Sequence, residues 1–378
     1  MALNPSLSKQ PPTARAWRLS SPGGALELAE VTMPRVRAGT VLLRMEAVPL
    51  LSYLGDYVAG KLPYWYPDRP FTPGTNGVGR IQAIGEDVHH LRIDQRVFVN
   101  PHLVANEIVD DPAQVLIGLT GISADSGPML EAWADGTLRQ YVLMPASCVA
   151  PLDGLEPLTS GHLATLGKFS VPLGGLIRGR LGQGETLVVN GATGYFGSAA
   201  VLLGVAMGAE RVIAIGRSMD GLEATRQAGG PRVTPVVLTG DVDADVSAIR
   251  AAAGPRGPHI GFDQVGGATD AKSTLAALRS LRRGGRLVLM GSMSAPLPVD
   301  YREFMQNDWE LIGNFMYRAS AFKTLISLVR SGLLDLGAIR VNNFPLDALQ
   351  AGMEAAARMH GLDCTVLDIR NARDEHDR

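Results

Sequence analysis

The sequence predicts an α/β fold in two parts, a β-rich N-terminal part and a doubly wound parallel sheet. Three observations carry this expectation. Beyond residue 160, apolar runs alternate regularly with stretches of helical spacing. Strands that are apolar on both faces, each followed by a helix, belong to a parallel sheet covered on both sides. One of the strand–helix junctions is the glycine loop Gly191-Ala192-Thr193-Gly194-Tyr195-Phe196-Gly197. Before residue 150 the texture differs: short apolar stretches are broken by Gly, Pro, Asp and Asn, the pattern of turn-bounded strands.

Taken in order, Val41-Leu42-Leu43-Arg44-Met45, Gly79-Arg80-Ile81-Gln82-Ala83-Ile84 and Gln140-Tyr141-Val142-Leu143-Met144 read as strands of the first part. An apolar, glycine-tolerant helix is expected over 162–177. The alternation then gives strands at 186–190, 211–215, 236–238, 259–263 and 286–290. Helices are expected between and after them at 198–207, 221–228, 242–253 and 269–281. The doubly wound domain is thereby set at 166–310, and 1–165 with 311–378 form the other domain. The last segment returns to a strand, followed by helices over 322–331 and 346–360. The first dozen residues and the tail from Asn371 to Arg378 are polar and are expected to fray.

The bulk properties narrow the function. A chain of 378 residues is too long for one compact core. A formal charge of −2 offers no electrostatic footprint for nucleic acid. No run reaches membrane-spanning length, and the N-terminus lacks the apolar core of a signal peptide. Cys148 and Cys364 are the only cysteines, too few for a disulfide framework or a four-thiolate zinc site. These features predict a soluble, cytoplasmic protein that acts on a small molecule, with neither a nucleic-acid nor a membrane partner.

The glycine loop carries the chemistry. Gly194 lets the backbone approach a pyrophosphate, whose charge is favoured at a helix N-terminus, and Gly197 lets that helix pack closely on the sheet. An NAD site places Asp or Glu at the end of the second strand, about twenty residues on, for the ribose hydroxyls. Here that strand ends Gly216-Arg217-Ser218. Arg217 can pair with a 2′-phosphate and Ser218 can donate to it, so the expected cofactor is NADPH.

The loop, Gly216-Arg217-Ser218, Asp263-Gln264-Val265-Gly266-Gly267 and the run from Arg283 to Gly291 together resemble the medium-chain dehydrogenase/reductase superfamily. So do Pro73-Gly74-Thr75-Asn76-Gly77-Val78-Gly79 and Gly136-Thr137-Leu138-Arg139-Gln140-Tyr141-Val142. The resemblance runs from about Ala16 to Asp368. It implies a GroES-like β-rich catalytic domain, a Rossmann domain and a homodimer paired through Rossmann sheet edges. It also implies that Val265, Gly291, Ser292, Met293, Asn314 and Phe315 border the dinucleotide. The departures are equally informative. Zinc members carry a Cys where this chain reads Leu51-Ser52-Tyr53-Leu54-Gly55-Asp56, and a Gly-His-Glu where it reads Gly74-Thr75-Asn76. Lys168 stands near the third ligand position, and the cysteine-rich structural lobe is missing. Zinc needs three or four N, S or O ligands, so the chain resembles the zinc-independent, quinone oxidoreductase-like branch, with no metal expected.

Without zinc, another group must stabilise the charge that develops on the acceptor. Lys168 is one candidate, as electrophile or proton donor; pairing with a carboxylate is the structural alternative. Tyr53 and Tyr57 can hydrogen-bond an acceptor oxygen or merely pack, and Asn76 can donate to substrate or complete a turn. His89-His90 reads as a surface turn, and Tyr64-Trp65-Tyr66-Pro67 as an aromatic lip or a packed loop. The leading expectation is an NADPH-dependent, zinc-free reductase of an activated C=C bond, a carbonyl or a quinone in a small apolar substrate. Imine reduction in a biosynthetic pathway is the alternative chemistry, and a non-catalytic NADPH-binding scaffold or sensor the alternative class.

Overall fold

The computed structural model describes residues 13–105 and 109–370. The two terminal segments expected to fray, the first dozen residues and Asn371 to Arg378, lie outside the described residues. The chain divides into two compact units. Among the described residues, one comprises those up to Gly167 with Val341–Met359 and those from Cys364 onward; the other comprises Lys168–Arg340 and His360–Asp363.

The first unit is β-rich. β1 (Thr13–Leu19) and β2 (Leu26–Thr32) form an antiparallel hairpin. The central strand β3 (Thr40–Pro49) is buried along nearly all its length. It is followed by the short helix α1 (Leu54–Val58), then β4 (Gly77–Ile84), β5 (Arg96–Val99), β6 (His102–Val104), β7 (Gln114–Leu116) and β8 (Thr120–Gly121). Helix α2 (Gly127–Ala132), β9 (Tyr141–Pro145), β10 (Val149–Pro151) and α3 (Ser160–Ala164) complete its N-terminal part. β3 pairs with β4 through two register shifts, Leu42/Leu43 and Met45/Ala47. Such bulges bend a strand, as a curved barrel-like sheet requires. Leu42, Leu43, Val78, Ile81 and Phe98 fill its core.

Helix α4 (Leu166–Arg178) leads into the second unit. The expected 162–177 helix is two helices, because Thr165 ends α3. A Cβ on Gly175 would lie 2.4 Å from Phe262, so glycine lets α4 sit directly on the sheet. The second unit then alternates β11 (Thr186–Asn190), α5 (Tyr195–Ala206), β12 (Arg211–Gly216), α6 (Met219–Gly229), β13 (Val233–Val237) and α7 (Val242–Ala253). It continues with β14 (Ile260–Asp263), α8 (Lys272–Ser280), β15 (Arg286–Leu289), α9 (Tyr301–Gln306), β16 (Glu310–Gly313) and α10 (Ser320–Arg330). All six strands are parallel in the order β13-β12-β11-β14-β15-β16. That is the doubly wound dinucleotide order, with its switch point between β11 and β14. Val188, Ile213, Ile249, Ala276 and Leu287 lie in one fully buried core cluster, as strands apolar on both faces require.

The boundary expected at 310 falls inside this sheet. β16 pairs in register with β15, from Glu310 opposite Arg286 to Gly313 opposite Leu289, so 311–340 belong with the second unit. The chain then returns to the first unit with β17 (Arg340–Pro345), α11 (Leu349–Ala357) and β18 (Asp363–Asp368), the last pairing with β3. No helix among the described residues is long and apolar enough to cross a membrane.

Candidate functional site

β11 ends at Asn190, and the chain turns through Gly191 at φ +78. The Gly194 N–H donates to Gly191 O at 2.9 Å, and Gly194 caps α5 in an extended conformation. A Cβ on Gly197 would lie 2.0 Å from Gly191 O, so only glycine lets the first turn of α5 close on the loop. Ala192 is buried beneath the loop, and Ser198, Ala199 and Ala200 are buried behind it. α5 therefore starts three residues earlier than expected, and its N-terminus, the positive end of the helix dipole, adjoins the loop.

A cavity of about 500 Å³ opens at the ends of β11 to β14. Gly191, Thr193 and Gly194 line it after β11, and Gly216 and Arg217 after β12; Val265 stands among residues 264–270, which line it after β14. This volume lies within the roughly 300–1,000 Å³ usual for ligand pockets. Arg217 is exposed in the wall, with no ion-pair partner among the described residues. Ser218 caps α6, its oxygen accepting from Gly221 N at 3.3 Å, which leaves its hydroxyl proton to donate. Buried Gln264 Nε2 has no hydrogen-bond partner among the described residues and lines the same cavity. An orphaned donor, a cradle that a Cβ would fill and an unpaired guanidinium all fit a phosphate-bearing dinucleotide.

The other dinucleotide candidates fall into groups. Asp263 accepts from Asn190 Nδ2 at 3.0 Å, from Thr274 Oγ1 at 2.5 Å and from Val265 N at 3.0 Å, which fixes Val265. Gly291 N donates to Asp263 O at 3.1 Å, and a Cβ on Gly291 would lie 2.2 Å from Val265 O. Ser292 is exposed beside Gly266, and Met293 Sδ lies 4.0 Å from Thr274 Oγ1. Tyr195 and Phe196 meet edge to face at 5.0 Å. Asn314 Nδ2 donates to Met316 O at 2.8 Å, while Phe315 is 72% exposed beyond β16.

Sequence reasoning missed the far wall. Thr239 and Gly240 follow β13 and are pinned by buried Asp245, whose Oδ1 accepts from Thr239 N at 2.7 Å and whose Oδ2 accepts from Gly240 N at 3.1 Å. Lys272 opens α8 on the same cavity, beside Asp270. The switch-point rule was the available signal, since it brings the ends of the inner strands to one crevice. Neither acidic group stands at the end of β12, where a ribose partner is expected.

Lys168 belongs to this unit and is fully buried. Its Nζ donates to Tyr195 O and, at 2.6 Å, to Gly361 O; it also lies 3.7 Å from the Tyr195 ring centroid.

Tyr53, Tyr57 and Asn76 belong to the other unit. Tyr57 is buried and donates its hydroxyl to Leu119 O at 2.6 Å, and its ring stacks on Tyr66 at 4.7 Å. That is the placement of a packing residue. Tyr53 is half-buried, edge-on to Tyr64 at 6.3 Å. Burial and the hydrogen-bonded Tyr64 beside it push the Tyr53 phenol well above the ordinary range, so it keeps its proton. Asn76 Nδ2 donates to Val99 O at 3.1 Å, and Thr137 Oγ1 donates to Asn76 O at 3.0 Å. Next to it, buried Thr75 Oγ1 has no partner among the described residues, a feature no sequence pattern signals. Trp65 is 50% exposed, and His89 and His90 lie on the surface.

A zinc ion is implied by part of this structural class, and the residues present do not fit it. Among the described residues no group of three or more His, Cys, Asp or Glu is gathered to hold a metal. Cys148 is buried, which pushes its thiol up to about 12, the reverse of what a thiolate ligand needs.

The strand order, glycine loop and cavity define an α/β protein of the doubly wound, dinucleotide-binding class. Residues 37–154 match the alcohol dehydrogenase GroES-like domain family, and residues 196–331 match the zinc-binding dehydrogenase family. The chain belongs to the medium-chain dehydrogenase/reductase superfamily and is an oxidoreductase. It is 25% identical to sorbitol dehydrogenase of Bacillus subtilis (strain 168) over 88% of this chain and 90% of that one. The crystal structure of AibC superposes with a TM-score of 0.80 at 20% identity, covering 98% of this chain and 99% of that one. A structure described as a zinc-binding dehydrogenase from Sinorhizobium meliloti 1021, bound to NADP, gives a TM-score of 0.74 at 17% identity over 94% and 99%. Likeness at these structural identities speaks for the fold alone.

Proposed function

We propose that the protein is an NADPH-dependent reductase that works without zinc, acting on an activated C=C bond, carbonyl or quinone of a small apolar molecule. The observation that carries the cofactor choice is Arg217, unpaired in the cavity wall where an NAD site would hold a carboxylate. In this reading Arg217 grips the 2′-phosphate bidentately and Ser218 donates to it. Gly194 and the first turn of α5 receive the pyrophosphate, and Gln264 Nε2 supplies one further donor. When bound, the nicotinamide supplies the hydride.

The zinc-free reading is supported by the donor set, since no ligand cluster is gathered among the described residues. The charge on the acceptor oxygen then falls to neutral donors. Tyr53 is the preferred one because, unlike that of Tyr57, its phenol proton is taken by no backbone carbonyl among the described residues, and Asn76 and the orphaned Thr75 hydroxyl are the supporting candidates. Tyr57 is assigned to packing because its proton is committed to Leu119 O.

A homodimer through the edge of the parallel sheet is part of this proposal. β16 is an edge strand, and exposed Tyr301, Met305, Leu311 and Phe315 cluster in sequence around it. A reducing, cytoplasmic setting agrees with two buried free cysteines.

The test is NADPH oxidation with a panel of enones, quinones, ketones and imines, with and without a chelator. Turnover of an enone, ketone or quinone that is insensitive to chelation is expected. Nucleotide binding with no turnover of any acceptor contradicts the enzyme reading, and loss of activity on chelation contradicts the zinc-free one.

A further inference from the structure

We infer that Lys168 is a positioning residue for the dinucleotide: its buried ammonium clamps the start of α5 and places a fixed positive charge behind the phosphate cradle. The inference rests on the cofactor site proposed above and reassigns the lysine within it.

A fully buried ammonium is intolerable in an apolar interior unless its donors are used. Two of the Lys168 donors go to the start of α5 and to the segment at Gly361. Nζ donates to the carbonyl of Tyr195, the first residue of α5, and to Gly361 O at 2.6 Å, and it lies 3.7 Å from the centroid of the Tyr195 ring. A cation over an aromatic face is attracted by the ring quadrupole, so the ring is held as well as the carbonyl.

Two further contacts close the arrangement. Ser198 Oγ, one turn along α5, lies 3.1 Å from Tyr195 O and 2.6 Å from Gly361 O, so its one proton goes to the nearer Gly361 O, the carbonyl that Lys168 also holds. Gly361 N donates to Thr193 O at 3.0 Å, in the middle of the glycine loop. Gly361 takes φ +49, a conformation that favours glycine. The segment at Gly361 thus straps the loop, and Lys168 and Ser198 fasten the strap. All these groups lie in the nucleotide unit.

The consequence is electrostatic as well as mechanical. The carbonyl of Tyr195 accepts from Nζ, and the N-terminal end of a helix is the end that favours an anion. The ammonium adds to the positive end of the helix dipole at short range, where water does not screen it. The pyrophosphate is common to NADPH and NADH, so this residue should strengthen both equally. Arg217, by contrast, should discriminate between them.

The experiment measures Kd for NADPH and for NADH by nicotinamide fluorescence in the unaltered protein and in Lys168→Met, Ser198→Ala and Arg217→Asp. Lys168→Met is expected to weaken both nucleotides about tenfold with their ratio kept, in line with the loss of charge-assisted hydrogen bonds. The loss should fall on KM for the nucleotide rather than on kcat, and Ser198→Ala should show a smaller loss of the same kind. Arg217→Asp should change the ratio instead. Unchanged affinities in Lys168→Met, or a loss confined to NADPH or to kcat, overturn the inference. If Lys168→Met does not fold, Ser198→Ala decides: equal loss for both nucleotides supports the strap, and no loss overturns it. If the unaltered protein binds neither nucleotide, the proposed cofactor site itself fails.

Discussion

The two units of this chain use buried polar groups in different ways, although in both of them glycines bring backbone against backbone. In the nucleotide unit they build a cradle: Gly191 and Gly197 bring backbone to backbone, and Asp245, Asp263 and Lys168 hold the turns around the cavity. In the GroES-like unit buried polar groups tie strands together. Glu46 of β3 receives Arg80 at 2.8 Å, Arg96 at 3.1 Å and Ser160 at 2.7 Å, joining β3, β4, β5 and α3. The difference teaches that similar burial of polar groups shapes the turns around a cavity in one unit and ties strands together in the other. Substitutions in the first should therefore be read out in binding, and in the second in stability.

The largest expected effect is that of Gly197→Ala. Its Cβ would sit 2.0 Å from a backbone oxygen that cannot move aside cheaply. Nucleotide affinity should fall about 100-fold, through loss of the helix N-terminal anion site. Isothermal titration would check this, and near-normal affinity would show that the loop does not hold the phosphates. Next is Arg217→Asp, which should weaken NADPH by about 10–100-fold, the scale of a lost charge-assisted pair, while NADH changes far less. Equal losses for both nucleotides would remove the reason for assigning Arg217 to the 2′-phosphate.

In the other unit, Tyr57→Phe leaves Leu119 O buried without its donor. A loss of about 1–2 kcal/mol is expected, seen as a lower Tm. An unchanged Tm would mean that water or a neighbour replaces the phenol. The smallest effect concerns acid. Burial pushes the Glu46 carboxyl up, but the Ser160 hydroxyl and the Arg96 and Arg80 guanidiniums outweigh it and hold the group below 4.5. A carboxyl depressed by folding adds stability above its unfolded pKa, and that share is lost as pH falls through the folded value. Glu46→Gln should therefore lose stability near neutral pH and show a flatter dependence below 4.5, followed by denaturant unfolding across pH. Parallel curves for the two proteins would exclude this role.

The same contrast explains what the sequence made legible. The nucleotide sheet could be read because β11, β12, β14 and β15 are apolar on both faces and each is followed by a helix. Its edges were harder to read. β13 begins at Val233, three residues before the expected start, because Pro235 interrupts the apolar run, and proline is tolerated on an edge strand. β16 has one buried residue, Ile312, so its pattern did not mark it as the sixth strand. In the GroES-like unit the bulged pairing of β3 and its partnership with β18 depend on long-range register, which no local spacing encodes. The site divides the same way. The glycine loop and Arg217, which line the cavity, are local in sequence and carry a readable pattern, whereas Asp245 on the far wall carries none. Lys168 was singled out, but its partner Gly361 lies 193 residues away, and only the fold connects them.

The central claim is that this cavity is built for a dinucleotide carrying a 2′-phosphate. Its most direct test is a side-by-side titration of the unaltered protein with NADPH and NADH at one ionic strength. The account predicts that NADPH binds at least about tenfold more tightly, the contribution of one charge-assisted phosphate contact. Equal affinity, or a preference for NADH, would contradict it.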